Sequence, residues 1–197
     1  MTLPSFDKVR SSTDPFPHFR VGGILQDDEA DRALHWLRTS APWALRVESF
    51  YEQHEFSLIT SELGPEIVDL ASPEFITSVR SELRRQFDVK DELELVDVGA
   101  HRLTSGQTIR IHNDFLEGRE SHRMLIQLND GWTAEQGGLL MLFGDDQPES
   151  LRHVVIPTHG SGFAFEISPR SHHAVSSIRD GERYTLVYTF RRPGEVR

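Results

Sequence analysis

The sequence predicts a mainly β domain whose antiparallel core is braced by N-terminal helices. Three observations carry that reading. From about residue 94 onward, short apolar runs alternate with Gly-, Asp-, Asn- and Pro-bearing turns at the spacing of a β-sandwich or barrel. Before that point, two stretches have helical apolar periodicity. No repeat, low-complexity tract or convincing linker divides the 197 residues, so 1–197 reads as a single domain. Its strands and supporting helices would fill about 16–95 and its β core about 96–191.

The elements follow in order. The polar stretch to about Pro15 is expected to be loosely held, and "FPHFRVGGIL" enters the fold as a strand. "QDDEADRALHWLRTS" reads as a helix capped by Asp27 or Asp28, whose acids suit the positive end of the helix dipole. "PWALRVESFYEQHEFSL" is extended. "SPEFITSVRSELRRQF" is the clearest helix, with Ser72 at the N-cap, Pro73 in the first turn and an apolar stripe of Ile76, Val79, Leu83 and Phe87. Arg80, Glu82 and Arg84 are expected to face water. Eight strands are then predicted: "ELVDVGAHRL", "QTIRIHNDF", "RMLIQLN", "GGLLMLF", "RHVVIP", "GFAFEI", "HHAVSSI" and "RYTLVYTF".

Composition narrows the function classes. There is no cysteine, which excludes a disulfide scaffold and a thiolate metal site. Any metal must use His, Asp or Glu, which suits a harder ion such as iron(II) or manganese. A formal charge of −10 argues against a non-specific nucleic-acid binder. No apolar run approaches the ~18 residues that a membrane helix requires, and the N-terminus lacks a signal-peptide core, so cytoplasmic residence is the expectation. Oligomeric state is not legible.

Seven of the 10 histidines fall after residue 100, and one sits in "IHNDF", 111–115. With this composition, chance alone gives about 0.7 His-x-Asp triplets, so the motif needs context. On an extended strand His112 and Asp114 point the same way, about 7 Å apart, while Asn113 points away. A third ligand would come from "SPRSHHAVSSIRDGERYTL", where His172 and His173 face opposite sides of a strand and either could serve. Two His and one carboxylate leave three open positions on an octahedral iron(II), and the planar fork of Arg183 nearby would match a carboxylate-bearing cosubstrate.

These residues resemble the iron(II)- and 2-oxoglutarate-dependent dioxygenases, in the prolyl-4-hydroxylase-like branch. The branch is marked by His-x-Asp, a distant His-x-Val and a basic residue ten positions later, matched here by His112-Asn-Asp114, His173-Ala-Val175 and Arg183. "RMLIQLNDGWTAEQGGLLMLF" and Gly106 fit its intervening pattern. The resemblance implies a double-stranded β-helix (a jelly roll, cupin-like), with iron held by His112, Asp114 and His173. It further implies Arg183 on the far carboxylate of 2-oxoglutarate, dioxygen as cosubstrate and ascorbate as an in vitro reductant. The implied activity is hydroxylation of an unactivated C–H bond.

One departure stands out. The family's tyrosine donor to 2-oxoglutarate is Leu103 here, so Arg123 or Gln127 is expected to substitute. Arg110, Trp132 and His172 are candidate substrate contacts. With Arg123 and Arg170 also near the predicted mouth, local positive charge would suit a small carboxylate-bearing substrate such as an amino acid or a biosynthetic intermediate. The alternatives are a prolyl or other residue of a peptide or protein, or a non-catalytic ligand-binding module on the same fold.

Overall fold

The structure, a computed structural model, describes residues 3–194. In chain order the elements are β1 (Val9–Ser12), β2 (His18–Val21), α1 (Asp27–Thr39), β3 (Ala44–Val47), β4 (Glu52–Ser57), α2 (Pro73–Gln86), β5 (Glu94–Leu103) and β6 (Ile109–His112). They continue with β7 (His122–Gln127), β8 (Leu140–Phe143), β9 (Leu151–Val155), β10 (Gly162–Glu166), β11 (His173–Val175) and β12 (Arg183–Arg191). All eight strands expected after residue 94 are present.

The strands form two antiparallel sheets. The larger runs β1-β2-β10-β7-β12-β5-β4-β3, and the smaller runs β6-β11-β8-β9. From β5 to β12 the chain crosses repeatedly between the two, which makes the core a double-stranded β-helix. Among the described residues, no helix is long and apolar enough to cross a membrane.

Strand alternation sorts the side chains of the large sheet. Tyr184, Leu186, Tyr188 and Phe190 of β12, with Met124 and Ile126 of β7, pack against Leu34, Leu37, Phe75, Val79 and Leu83 of the two helices. The odd-numbered residues point the other way, between the sheets. There Leu140, Leu142, Phe163, Phe165 and Ile167 form a second apolar cluster. Register then aligns the inner face: Arg183 opposes Leu103, Thr185 opposes both His101 and Gln127, and Val187 opposes Leu125.

Several local expectations are corrected. The polar N-terminal stretch is not loose throughout, because β1 pairs with β2 from Val9↔Val21 to Ser12↔His18. The cap of α1 is Gln26, which forms a capping box with Glu29, rather than Asp27 or Asp28. Ser72 caps α2 as expected, its hydroxyl accepting from the Phe75 N–H at 3.2 Å. Glu82, however, is buried, where it accepts from Arg85 and Gln86 instead of facing water.

His122 lies buried beneath α2, its ring centroid 5.4 Å from that of Phe87. Its Nε2 has no hydrogen-bond partner among the described residues, and burial, aided by Arg192, pushes its pKa down to about 4 from 6.5. Between these values the unfolded chain binds the extra proton. The corresponding stability is therefore whole above pH 6.5 and is lost as pH falls toward 4. At 1.36 kcal/mol per unit, the loss between pH 7 and pH 4.5 amounts to about 2.5 kcal/mol. Urea unfolding of His122→Leu at these two pH values is expected to remove most of that difference; an unchanged difference would assign acid sensitivity elsewhere.

Candidate active site

Strand pairing assembles the centre. His173 on β11 is directly opposite His112 on β6, and their ring centroids lie 4.3 Å apart. Asp114 completes the group: its Oδ1 is 3.4 Å from His112 Nε2 and its Oδ2 is 3.2 Å from His173 Nε2. Each of the three residues offers one ligand atom, and these atoms all lie within 4.8 Å of one another. In both rings Nδ1 donates to the carbonyl two residues earlier, Arg110 O for His112 and Ser171 O for His173, each at 2.8 Å. That bond leaves a lone pair on each Nε2, the tautomer a metal requires. Burial pushes the His173 pKa down, as does the neighbouring His112.

The convergence does not arise as strand alternation predicted. β6 stops at His112, and Asp114 takes a left-handed backbone with φ 59°. An Asx turn makes the break, with Asn113 Oδ1 accepting from the Phe115 N–H at 3.1 Å. Nor does Asn113 point away: it lines the cavity and donates to Pro169 O at 3.2 Å. Ser171 Oγ returns a bond to Asn113 O, so the two ligand-bearing segments are tied together. Sequence reasoning missed this role, for which the Asn-Asp pair was the available signal.

Arg123, on the inner face of β7, donates to Asp114 Oδ2 at 2.7 Å through Nη1 and to Glu120 Oε2 at 2.6 Å through Nη2. Burial alone would raise the Asp114 pKa. The Arg123 guanidinium and the two imidazoles outweigh it and hold the carboxyl well below the usual range.

The cluster opens on a cavity of about 650 Å³ between the sheets. Arg183 lies on the same wall, 4% exposed, with no carboxylate partner among the described residues. Burial pushes its pKa down to about 10. An unpaired buried guanidinium is expensive, and a bound carboxylate would neutralise it. Behind it, a Cβ on Gly138 (φ 64°) would come 3.0 Å from Arg183 Cδ and 2.6 Å from Ile178 Cδ1. Gly138 therefore serves close packing as well as the turn.

Of the other candidates, Trp132, Gln127, Arg110 and Arg170 are not on the cavity wall. Trp132 packs with Leu103, Val175 and Ile178 and donates to Gly137 O, a core role rather than a substrate platform. Gln127 is buried with its Oε1 taken by the Thr185 hydroxyl at 3.0 Å, away from the lining. Arg110 and Arg170 are exposed and outside it. His172 does line the cavity, with Nε2 3.4 Å from Asn113 Nδ2. The expected cationic mouth is not found: Arg46, Arg119, Arg123 and Arg183 are matched on the wall by Glu48, Asp114, Glu120 and Asp146. His101 and Gln53 line the cavity too, and sequence reasoning assigned neither.

Comparison with known proteins gives a consistent relationship. Residues 98–191 match the 2OG-Fe(II) oxygenase superfamily. A prolyl 3-hydroxylase of Mus musculus is 24% identical over 185 residues, 92% of this chain and 33% of that protein. One from Xenopus laevis is 35% identical over 91 residues, 44% of this chain and 18% of that protein. This chain thus spans about one third or less of the length of the curated relatives it matches. A Pseudomonas putida prolyl-4-hydroxylase superposes with a TM-score of 0.69 at 22% identity, covering 90% of this chain and 93% of that one. A Trichoplax adhaerens prolyl hydroxylase in complex with a hypoxia inducible factor peptide gives 0.74 at 14%, covering 90% and 84%.

Proposed function

We propose, from the match of residues 98–191 to the 2OG-Fe(II) oxygenase superfamily, that the chain hydroxylates a prolyl residue of a peptide or protein. The observation that carries the reaction class is a single cavity holding both the His112–Asp114–His173 cluster and the unpaired buried Arg183. The cluster would hold the ferrous ion. Arg183 would hold the far carboxylate of 2-oxoglutarate. With 2-oxoglutarate and dioxygen, the metal supplies an oxidation that converts a C–H bond to C–OH, with succinate and carbon dioxide as the other products.

The chain's own residues do the rest. The two imidazoles present neutral Nε2 atoms. Asp114 brings the negative charge and fills a ligand position, which favours hydroxylation over transfer of an exogenous anion. Arg123 fixes Asp114 through the oxygen it grips. Leu125, Leu140, Phe165 and Val175 wall the cavity with apolar surface and exclude water.

The peptide reading draws on the relatives' substrates and on the mouth. A small carboxylate-bearing substrate was expected from local positive charge, and the wall's acids cancel that reason. The rim instead carries exposed apolar side chains, Phe115 and Leu116, beside Phe50 and Tyr51 at the β3–β4 hairpin. Such a rim suits an extended chain better than a small polar acid.

The test incubates the protein with iron(II), ascorbate, 2-oxoglutarate and oxygen, together with proline-containing peptides or free amino acids. Succinate release coupled to a one-oxygen mass gain on a prolyl peptide is expected. Gain on a free amino acid alone would overturn the peptide reading. Retained 2-oxoglutarate binding with no turnover on any substrate would make the chain a binding module.

A further inference from the structure

Arg183 can grip one end of 2-oxoglutarate, and the metal-end carboxylate keeps one oxygen off the metal that a protein donor can reach. Leu103, at the position of the family's tyrosine, is 1% exposed and packs with Val175 and Ile178, so it offers none. Gln127 lies outside the cavity lining, and both Arg123 amino groups are turned to Asp114 and Glu120.

His101 remains. It lies on the inner face of β5, directly opposite Thr185 and therefore diagonal to Arg183 on the neighbouring strand. Diagonal pairs of this kind lie about 7 Å apart, within reach of one small ligand. The ring leans along β5 over Gly99, where an added Cβ would come 3.2 Å from His101 Nε2. Gly99 opposes Val187, so the ring extends one row beyond Thr185, away from Arg183. Along β12, Arg183 lies one row to one side of His101, and Arg123, which opposes Thr189 and is bonded to Asp114, lies two rows to the other. His101 thus stands between the carboxylate-binding arginine and the metal cluster.

Its proton is assigned by the residues behind it. Gln53 Nε2 is 2.8 Å from Glu55 Oε2 and 3.2 Å from His101 Nδ1. The carboxylate fixes the amide with its NH₂ toward both, so Nδ1 accepts and the proton sits on Nε2. Glu55 is anchored in turn by Arg46 Nη1 at 3.0 Å. Burial pushes the His101 pKa down to about 4, which keeps the ring a neutral, single-proton donor.

We propose that His101 Nε2–H is the second protein donor to 2-oxoglutarate, directed to its metal-end carboxylate, with Gln53 and Glu55 as positioning residues that fix the tautomer. The inference rests on the reading of this cavity as a 2-oxoglutarate site.

The test is calorimetric binding to anaerobic, iron-loaded protein, with 2-oxoglutarate and with pyruvate, which carries the metal-end group alone. His101→Ala is expected to weaken both ligands by a similar factor, on the order of 10-fold, with iron affinity unchanged. Arg183→Met is expected to weaken 2-oxoglutarate and leave pyruvate unaffected. His101→Asn, which restores an N–H donor, should recover part of the loss. For Gln53→Leu, ring-nitrogen chemical shifts should report a mixture of tautomers where the wild type has Nε2–H alone. If the wild type binds 2-oxoglutarate and His101→Ala binds both ligands equally well, His101 loses this role. Absence of binding to the iron-loaded wild type would instead overturn the reading of the cavity.

Discussion

Asp114→Asn is expected to lose iron binding and turnover together. The carboxylate is the anionic member of the candidate triad, and its ionised form is stabilised by Arg123. An asparagine oxygen is neutral and a poor ligand for a hard cation. Iron affinity should fall by more than the 10- to 100-fold typical of outer-shell changes, and succinate formation should become undetectable. Asparagine is the informative substitution because position 114 has φ 59°, which Asn tolerates. Asp114→Ala adds roughly 1–2 kcal/mol of backbone strain to the loss of the ligand and mixes two effects. Iron titration with succinate detection decides the matter, and wild-type turnover in Asp114→Asn would remove Asp114 from the metal.

Arg183→Met should act in two directions at once. The guanidinium is buried with no carboxylate partner among the described residues, and burial pushes its pKa from 12.5 to about 10. At neutral pH the folded state bears the whole of that penalty, up to about 3 kcal/mol at 1.36 kcal/mol per unit. Methionine is comparably long and uncharged, so the ligand-free variant should melt at a higher temperature. The 2-oxoglutarate requirement should rise by about 100-fold or more, as expected for loss of a bidentate charged contact. The primary substrate's KM should barely move. Thermal melting with and without 2-oxoglutarate, beside steady-state kinetics, checks both effects. A less stable variant with an unchanged 2-oxoglutarate dependence would make Arg183 an ordinary structural arginine.

Particular residues mark where the sequence was legible. The eight core strands were readable because each has its own alternation or apolar run, a local property. Ser72 was readable as a cap because capping involves neighbours along the chain. The motif spacing selected His112, Asp114, His173 and Arg183, and the fold gathers them around one cavity. Properties set by distant partners were not legible. The ring of His101 is oriented by Gln53, 48 residues away on another strand. Gln127 shares the inner face with Arg123, yet Thr185 from β12 occupies it. Arg110 lies within β6 beside His112 yet outside the cavity lining, whereas Asp114 lies beyond the end of β6, where alternation no longer places a side chain. Glu82 looked solvent-facing until Arg85 and Gln86 folded back over it.

The grip of Arg123 on Asp114 has a consequence for how this protein can change over evolutionary time. The aspartate belongs to the start of a rim loop, yet its coordinates are referenced to a strand deep in the barrel. Residues 115–119 can therefore be rewritten, lengthened or shortened to suit a new target while the ferrous ion's surroundings stay in register.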